Sequence, residues 1–193
     1  VRYIGNDSSG KMGTAIANAA VAVGADVTLV ATAMLPVLPG VDAVYVTSAA
    51  EMHDAMLANF DAADLVVMAA AVADSRPVNV SDSKITKQSP DDELHLDLVQ
   101  NADILAEMGG QKSHQYLVGF AAETNDLVAN AQAKLTRKGA DMIVANQVGY
   151  GQGFNTDTDA VTVLRPDQEP LTLDEAQKSD VAATILALAG QAL

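Results

Sequence analysis

The 193-residue sequence predicts an α/β fold: a mostly parallel sheet, helices on both faces and a C-terminal β-hairpin. Three observations predict it. Short runs rich in Val, Ile, Leu and Ala recur along the chain and read as strands buried on both faces. Segments with apolar residues three and four apart lie between several of them. The last part of the chain changes to two alternating runs close together, as a hairpin requires.

The elements follow in order. Met12, Ile16, Ala19, Ala20 and Val23 keep helical spacing, and Gly24 closes that helix. "DVTLVAT" (26–32) and "AVYVTS" (43–48) are β-branched strands. "AAEMHDAMLANF" (49–60) is a helix with Thr47 or Ser48 as its cap. "ADLVVMAAAVAD" (63–74) begins as a continuous apolar strand. "YLVGFAAE" (116–123) and "DMIVANQV" (141–148) repeat that character, with the helix 125–140 between them. "AVTVLRP" (160–166) and "LTLDE" (171–175) form the hairpin, and 179–193 is a final helix capped by Ser179. Strand–helix alternation of this kind is Rossmann-like, a three-layer arrangement. Residues 75–92, polar and with two prolines, keep no period; a loop this long suits a lid, and Lys84 and Lys87 suit a lid that closes on an anion.

Composition sets limits. Apolar residues make up 49% and charged residues 19%, as in a soluble globular domain. No apolar run approaches the roughly 20 residues that span a bilayer. There is no cysteine, so disulfides, thiolate metal sites and Cys nucleophiles are excluded; a reducing cytoplasm is the expected location. The net charge of −14 argues against nucleic acid as a partner. Seven of the 11 basic residues fall in three places: Arg2 and Lys11; Lys84 and Lys87; Lys134, Arg137 and Lys138. Their convergence would give an acidic protein one basic site. The chain opens on Val1 rather than Met and is expected to be a segment that has lost its start.

"GNDSSGKMG" (5–13) nearly spells a phosphate-binding P-loop, but the pattern fails. Met12 stands where a hydroxyl must hold Mg²⁺, and only four residues precede Gly5. What remains is a helix N-terminus behind Ser8, Ser9 and Gly10, either an anion site or a plain serine cap. Asp74 and Glu123 sit at strand ends, where ligands gather in open α/β sheets. Each suits a ribose hydroxyl or a metal, or caps the next helix. Lys134 and Lys138 share one helix face, which in isolation reads as a solvated basic surface. His53, His95 and His114 have no metal spacing and receive no role.

Six segments together, "VRYIGNDSSGKMG", "AAAVAD", "KITKQ", "NADIL", "VGFAAET" and "FNTDTDAVTVL", resemble in order the motifs of bacterial phosphopantothenoylcysteine synthetase. The resemblance runs from Val1 to about Leu164. It implies a phosphopantothenate–cysteine ligase of coenzyme A biosynthesis, unrelated to ATP-grasp ligases. 4′-Phosphopantothenate and CTP form an acyl-cytidylate, and L-cysteine then displaces CMP; CTP is the co-substrate and Mg²⁺ the expected cofactor. The resemblance assigns catalytic positions to Asn6, Lys84 and Arg2. It assigns nucleotide-binding positions to Ser8, Ser9, Gly10, Ala70, Asp74, Lys84, Ala102, Asp103, Ile104, Leu105, Phe120, Lys134 and Lys138. Ala102 stands where the family has Pro, and Met68 where relatives can carry Gly. The metal ligands are not identified. The family's Gly-rich first strand is absent, so 1–193 is expected to be a single ligase domain lacking its first strand and Gly-rich loop. The resemblance also implies a homodimer, with the apolar stretch 142–148 a candidate interface, and a flavin-dependent decarboxylase fused to or associated with the domain. Two other readings stand beside it: an NAD(P)-dependent reductase, against which there is no Gly-x-Gly-x-x-Gly and no Tyr-x-x-x-Lys, and a non-catalytic nucleotide-binding module.

Overall fold

A computed structural model describes residues 4–86, 95–148 and 156–193. The helix expected near 12–23 is α1 (Lys11–Ala22), followed by β1 (Val27–Ala31), β2 (Val41–Tyr45), α2 (Ala49–Phe60) and β3 (Leu65–Met68). Then come β4 (Ser75–Pro77), β5 (Leu98–Gln100), α3 (Ile104–Gln111), β6 (Tyr116–Glu123), α4 (Leu127–Lys138) and β7 (Met142–Gln147). The hairpin β8 (Thr158–Leu164) and β9 (Leu171–Gln177) leads into α5 (Lys178–Gly190).

The main sheet has the order β3-β6-β7-β8-β9. β3, β6 and β7 run parallel, and the hairpin adds to β7 antiparallel. β1 and β2 form a separate parallel pair. The layers are those the sequence predicts. On one face Met108, Leu117, Leu135 and Ile143 pack with the α2, α3 and α4 side. On the other, Val118, Val144, Val163 and Ile185 pack under α5, with Met12 of α1 against them.

Local chemistry explains several boundaries. Ser48 caps α2, its Oγ accepting from the Glu51 amide, while Glu51 reaches back to the Thr47 amide at 2.8 Å, a reciprocal cap. Gly139 ends α4 in the left-handed conformation at φ 59°, as helix stops commonly do. Asp141 fixes the β6–β7 register: its carboxylate accepts from the Leu117 amide at 2.8 Å and pairs with Lys112 at 2.5 Å.

Four expectations need correction. Ser179 does not cap α5; the helix begins one residue earlier behind Gln177, because the Lys178 amide already bonds to Asp157 O. The stretch 142–148 is no docking surface within its apolar part: Met142, Ile143, Val144 and Ala145 are fully buried by the chain's own helices. The polar segment after Asp74 is not all loop, for β4 pairs antiparallel with β5 at its base; residues 87–92 lie outside the described residues. The lysines of α4 are not a solvated face, since the Lys138 side chain is only 12% exposed.

Candidate functional site

The carboxyl end of β3 opens into a cavity of about 1940 Å³ whose wall includes Asn6, Ser8, Gly10, Ala70, Asn101 and Lys84. The segment before α1 is tied to the segment after β3 by Asn6, whose Nδ2 donates to Val72 O at 3.0 Å. One amide N–H is thereby used; the second and the side-chain carbonyl make no hydrogen bond among the described residues. Gly10 turns the chain into α1 at φ 72°, a conformation that side chains disfavour. A Cβ there would also sit 3.1 Å from Ala33 Cβ.

No side chain caps α1; Ser9 Oγ stands 3.4 Å from the Lys11 amide, a long contact. The capping role considered for Ser8 and Ser9 is therefore not realised. Among the described residues the Met12 and Gly13 N–H groups make no hydrogen bond, and with the positive end of the helix dipole they suit an anion. Lys84 is exposed on the cavity wall and has no hydrogen bond or ion pair among the described residues.

A second group lies between α3 and α4. Lys134 donates to Phe120 O at 3.0 Å. Burial lowers its pKa from the ordinary lysine range, against an opposing pull from Glu123. The Lys138 ammonium is bound by the Asp103 carboxylate, which also caps α3 through the Ala106 amide. Burial pushes the Asp103 pKa up, but the bonds from Lys138 and Ala106 outweigh it and hold it below the usual carboxylate range.

Asn101 links the two groups. Its Nδ2 donates to Ala73 O at 2.8 Å, its backbone N–H to Asp74 O, and the next residue begins the 102–105 stretch. Arg76 braces the same turn, donating to Gln100 O and Asn101 Oδ1. Neither residue is singled out by the sequence. Asn101 lies within a quoted motif; for Arg76 the only signal would have been β4, which three residues cannot announce.

The structure sorts the expected residues. Asn6, Ser8, Gly10, Ala70 and Lys84 share the cavity. Asp103, Lys134, Lys138 and the Phe120 carbonyl form the second group. Asp74 is exposed, precedes a strand and caps no helix, so its carboxylate stays free of hydrogen bonds among the described residues. Ile104 and Leu105 are core side chains, 3% and 8% exposed, and Ala102 is exposed. Arg2 lies outside the described residues. Glu123 is partly engaged, accepting from Asn130 Nδ2. No group of three or more His, Asp or Glu side chains able to hold a metal occurs among the described residues. No helix there is long and apolar enough to cross a membrane.

Fold and site define an α/β protein with a crevice at the carboxyl ends of parallel strands, lined by Asn6, Ser8 and Lys84 among others. Residues 1–192 match the DNA/pantothenate metabolism flavoprotein C-terminal domain family, and the chain belongs to it. It is 41% identical over 196 residues to the coenzyme A biosynthesis bifunctional protein CoaBC of Vibrio vulnificus, covering 98% of this chain and 49% of the relative. The chain thus spans about half the length of that relative. The crystal structure of a CoaBC C-terminal domain has a TM-score of 0.81 and 39% identity, covering 97% of this chain and 85% of the other. Cab2 in complex with phosphopantothenate-cysteine shares the fold at 17% identity and a TM-score of 0.78, covering 100% of this chain and 81% of the other.

Proposed function

We propose that the chain is a cytoplasmic phosphopantothenate–cysteine ligase domain that uses CTP through an acyl-cytidylate. The observation that carries this reading is the cavity uniting Asn6, the open α1 N-terminus and Lys84, in a chain 41% identical over nearly its whole length to a coenzyme A biosynthesis protein.

Several anions must meet in such a site, so fixed positive groups have to offset their repulsion. The α1 N-terminus suits a phosphate. Asn6 is anchored by one N–H and keeps another to hold a carbonyl or phosphate oxygen. Lys84, on the segment beyond β4, adds charge where the phosphoryl oxygens gather. Lys134 and Lys138 serve the nucleotide; an incoming phosphate takes Lys138 from Asp103.

Mg²⁺ fits this arrangement as a passenger of the nucleotide. Such ions usually need one or two protein carboxylates beside the phosphates, and Asp74 has one unengaged. When bound, the ion offsets triphosphate charge. Shielding the reactive mixed anhydride from water is the task of the 75–92 segment.

Among the described residues β1 and β3 each have one paired neighbour, and both line the same cavity. This supports the reading that the domain takes one further strand between them. A homodimer belongs to the same reading, as does a fused flavin-dependent decarboxylase, the latter supported by relatives of twice this length.

The test is a thermal-shift panel with CTP, ATP, NADH and NADPH, each with Mg²⁺, followed by pyrophosphate release with phosphopantothenate. A ligand at 100 times its Kd stabilises by about 2.7 kcal/mol. CTP is expected to give the largest shift, and release is expected to need phosphopantothenate. A shift with NADPH and none with CTP overturns the ligase reading; equal CTP and ATP shifts remove only the CTP preference.

A further inference from the structure

Helix α3 carries the 102–105 stretch, and it meets α4 in an unusual way. A Cβ on Gly109 would overlap the carbonyl oxygen of Lys138, and would lie 2.9 Å from the Lys138 carbonyl carbon and 3.4 Å from that of Gly139. All three are backbone atoms, so no side chain can swing aside. From the other helix, a Cβ on Gly139 would lie 3.1 Å from Gly109 O. The crossing is therefore backbone on backbone. Gly110, the next residue, has nothing within 4 Å of its own Cβ position. Glycine in a helix is less stable than alanine, and of the two adjacent glycines in α3 space demands it at Gly109 alone.

Lys138 is thus gripped at both ends. Its carbonyl lies under Gly109, and its ammonium reaches Asp103 at the cap of the same helix. Six residues separate those two points, about 9 Å along a helix. On the far side α3 is pinned to α2, where His53 Nε2 meets Glu107 Oε2 at 2.9 Å.

We propose that Gly109 is a positioning residue: by letting α3 seat directly on the last turn of α4, it sets the reach between Asp103 and the lysine pair Lys134 and Lys138. This rests on the reading that those groups hold the nucleotide. A methyl group at 109 must move roughly 1.5 Å away from the Lys138 carbonyl oxygen to reach ordinary contact distance, and α3 carries Asp103 and the 102–105 backbone with it. Misplacement on that scale costs on the order of tenfold to a hundredfold in a well-ordered site.

The experiment compares Gly109→Ala, Gly139→Asn and Gly110→Ala with the parent chain, all well below their melting midpoints. The readouts are KM for CTP, kcat, and the Asp103 carboxylate titration followed by NMR. Gly109→Ala is expected to raise KM for CTP at least tenfold with kcat within about twofold, and to move the Asp103 titration up toward the ordinary range as Lys138 withdraws. Gly139→Asn tolerates the left-handed backbone and presses less on the same crossing; it is expected to give a smaller change in the same direction, and it stands in if Gly109→Ala does not fold. Gly110→Ala is expected to leave both readouts unchanged. A lower melting point with KM and the Asp103 titration unmoved overturns the proposal, as does an equal effect from Gly110→Ala. If the parent chain binds no CTP while the Asp103 titration still moves, the geometry stands and the nucleotide reading falls.

Discussion

Gly119 lies on β6 directly beneath α3, and replacing it with alanine tests how tightly that helix is seated. The added Cβ would lie 2.6 Å from Leu105 Cδ2 and 2.8 Å from Ile143 Cδ1. Carbon atoms pack best at about 3.5–4.0 Å, so both contacts fall short by roughly 1 Å. Neither neighbour can retreat to solvent, because Leu105 is 8% exposed and Ile143 is fully buried. Overpacking of this kind costs about 1–3 kcal/mol. The smaller unfolded-state entropy of alanine returns about 0.4–1 kcal/mol, so the net loss is about 1–2 kcal/mol. For a chain of this size that lowers the melting midpoint by about 2–8 °C. Leu105→Ala alone opens a cavity and costs about 2–5 kcal/mol. In the double variant the methyl introduced at position 119 enters the space Leu105 vacated, so the pair is expected to be less destabilised than the sum by at least about 1 kcal/mol. Denaturant unfolding of the four proteins of the cycle, followed by circular dichroism, measures the coupling. Additivity within about 0.5 kcal/mol would refute the claim that Gly119 exists to seat Leu105.

Three further outcomes are expected. Asp141→Ala orphans the buried Leu117 amide and frees Lys112, costing about 2–4 kcal/mol, whereas Asp141→Asn keeps an acceptor for the amide and costs about 1 kcal/mol or less; equal losses in thermal melts would show that the amide bond is not the source. Hydrogen bonds that His53 donates to the Asp54 and then the Glu107 carboxylate raise its pKa above the usual 6.5, so the charged imidazole contributes stability that is full below about pH 6.5 and fades as pH rises through the raised value. The contribution is small for so exposed a cluster, and a His53→Gln variant whose melting curve against pH parallels the parent would remove it. Lys84→Gln should leave stability within about 0.5 kcal/mol, since the side chain is exposed, yet slow pyrophosphate release about 100-fold; release at the parent rate would make Lys84 an ordinary surface residue.

The sequence by itself determined the layered α/β architecture and several local helix boundaries. Strands buried on both faces must be continuously apolar, and Leu65–Met68, Tyr116–Glu123 and Met142–Gln147 carry that pattern in the letters. Ser48 with Glu51 announces a helix start because a cap is local chemistry. Of the residues named by family resemblance, Asn6, Ser8, Gly10, Ala70 and Lys84 lie on the cavity and Asp103, Lys134 and Lys138 meet between α3 and α4, whereas Ile104 and Leu105 belong to the core. Only the tertiary structure decided the rest, because those features are made by residues far apart in the chain. Helix α3 is not legible in the letters because its eight residues hold two glycines and few polar contrasts, and it is Leu117, Leu135 and Ile143 that give its apolar side a place to pack. Strands β4 and β5 are three residues each, too short for a period, and exist through pairing across 20 intervening positions. The lysines of α4 read as solvated until Asp103 and the Phe120 carbonyl arrive from other elements to accept their hydrogen bonds. Gly109 carries no signal in the sequence at all; its reason is the carbonyl of Lys138, 29 positions away, which leaves no room for a single carbon atom.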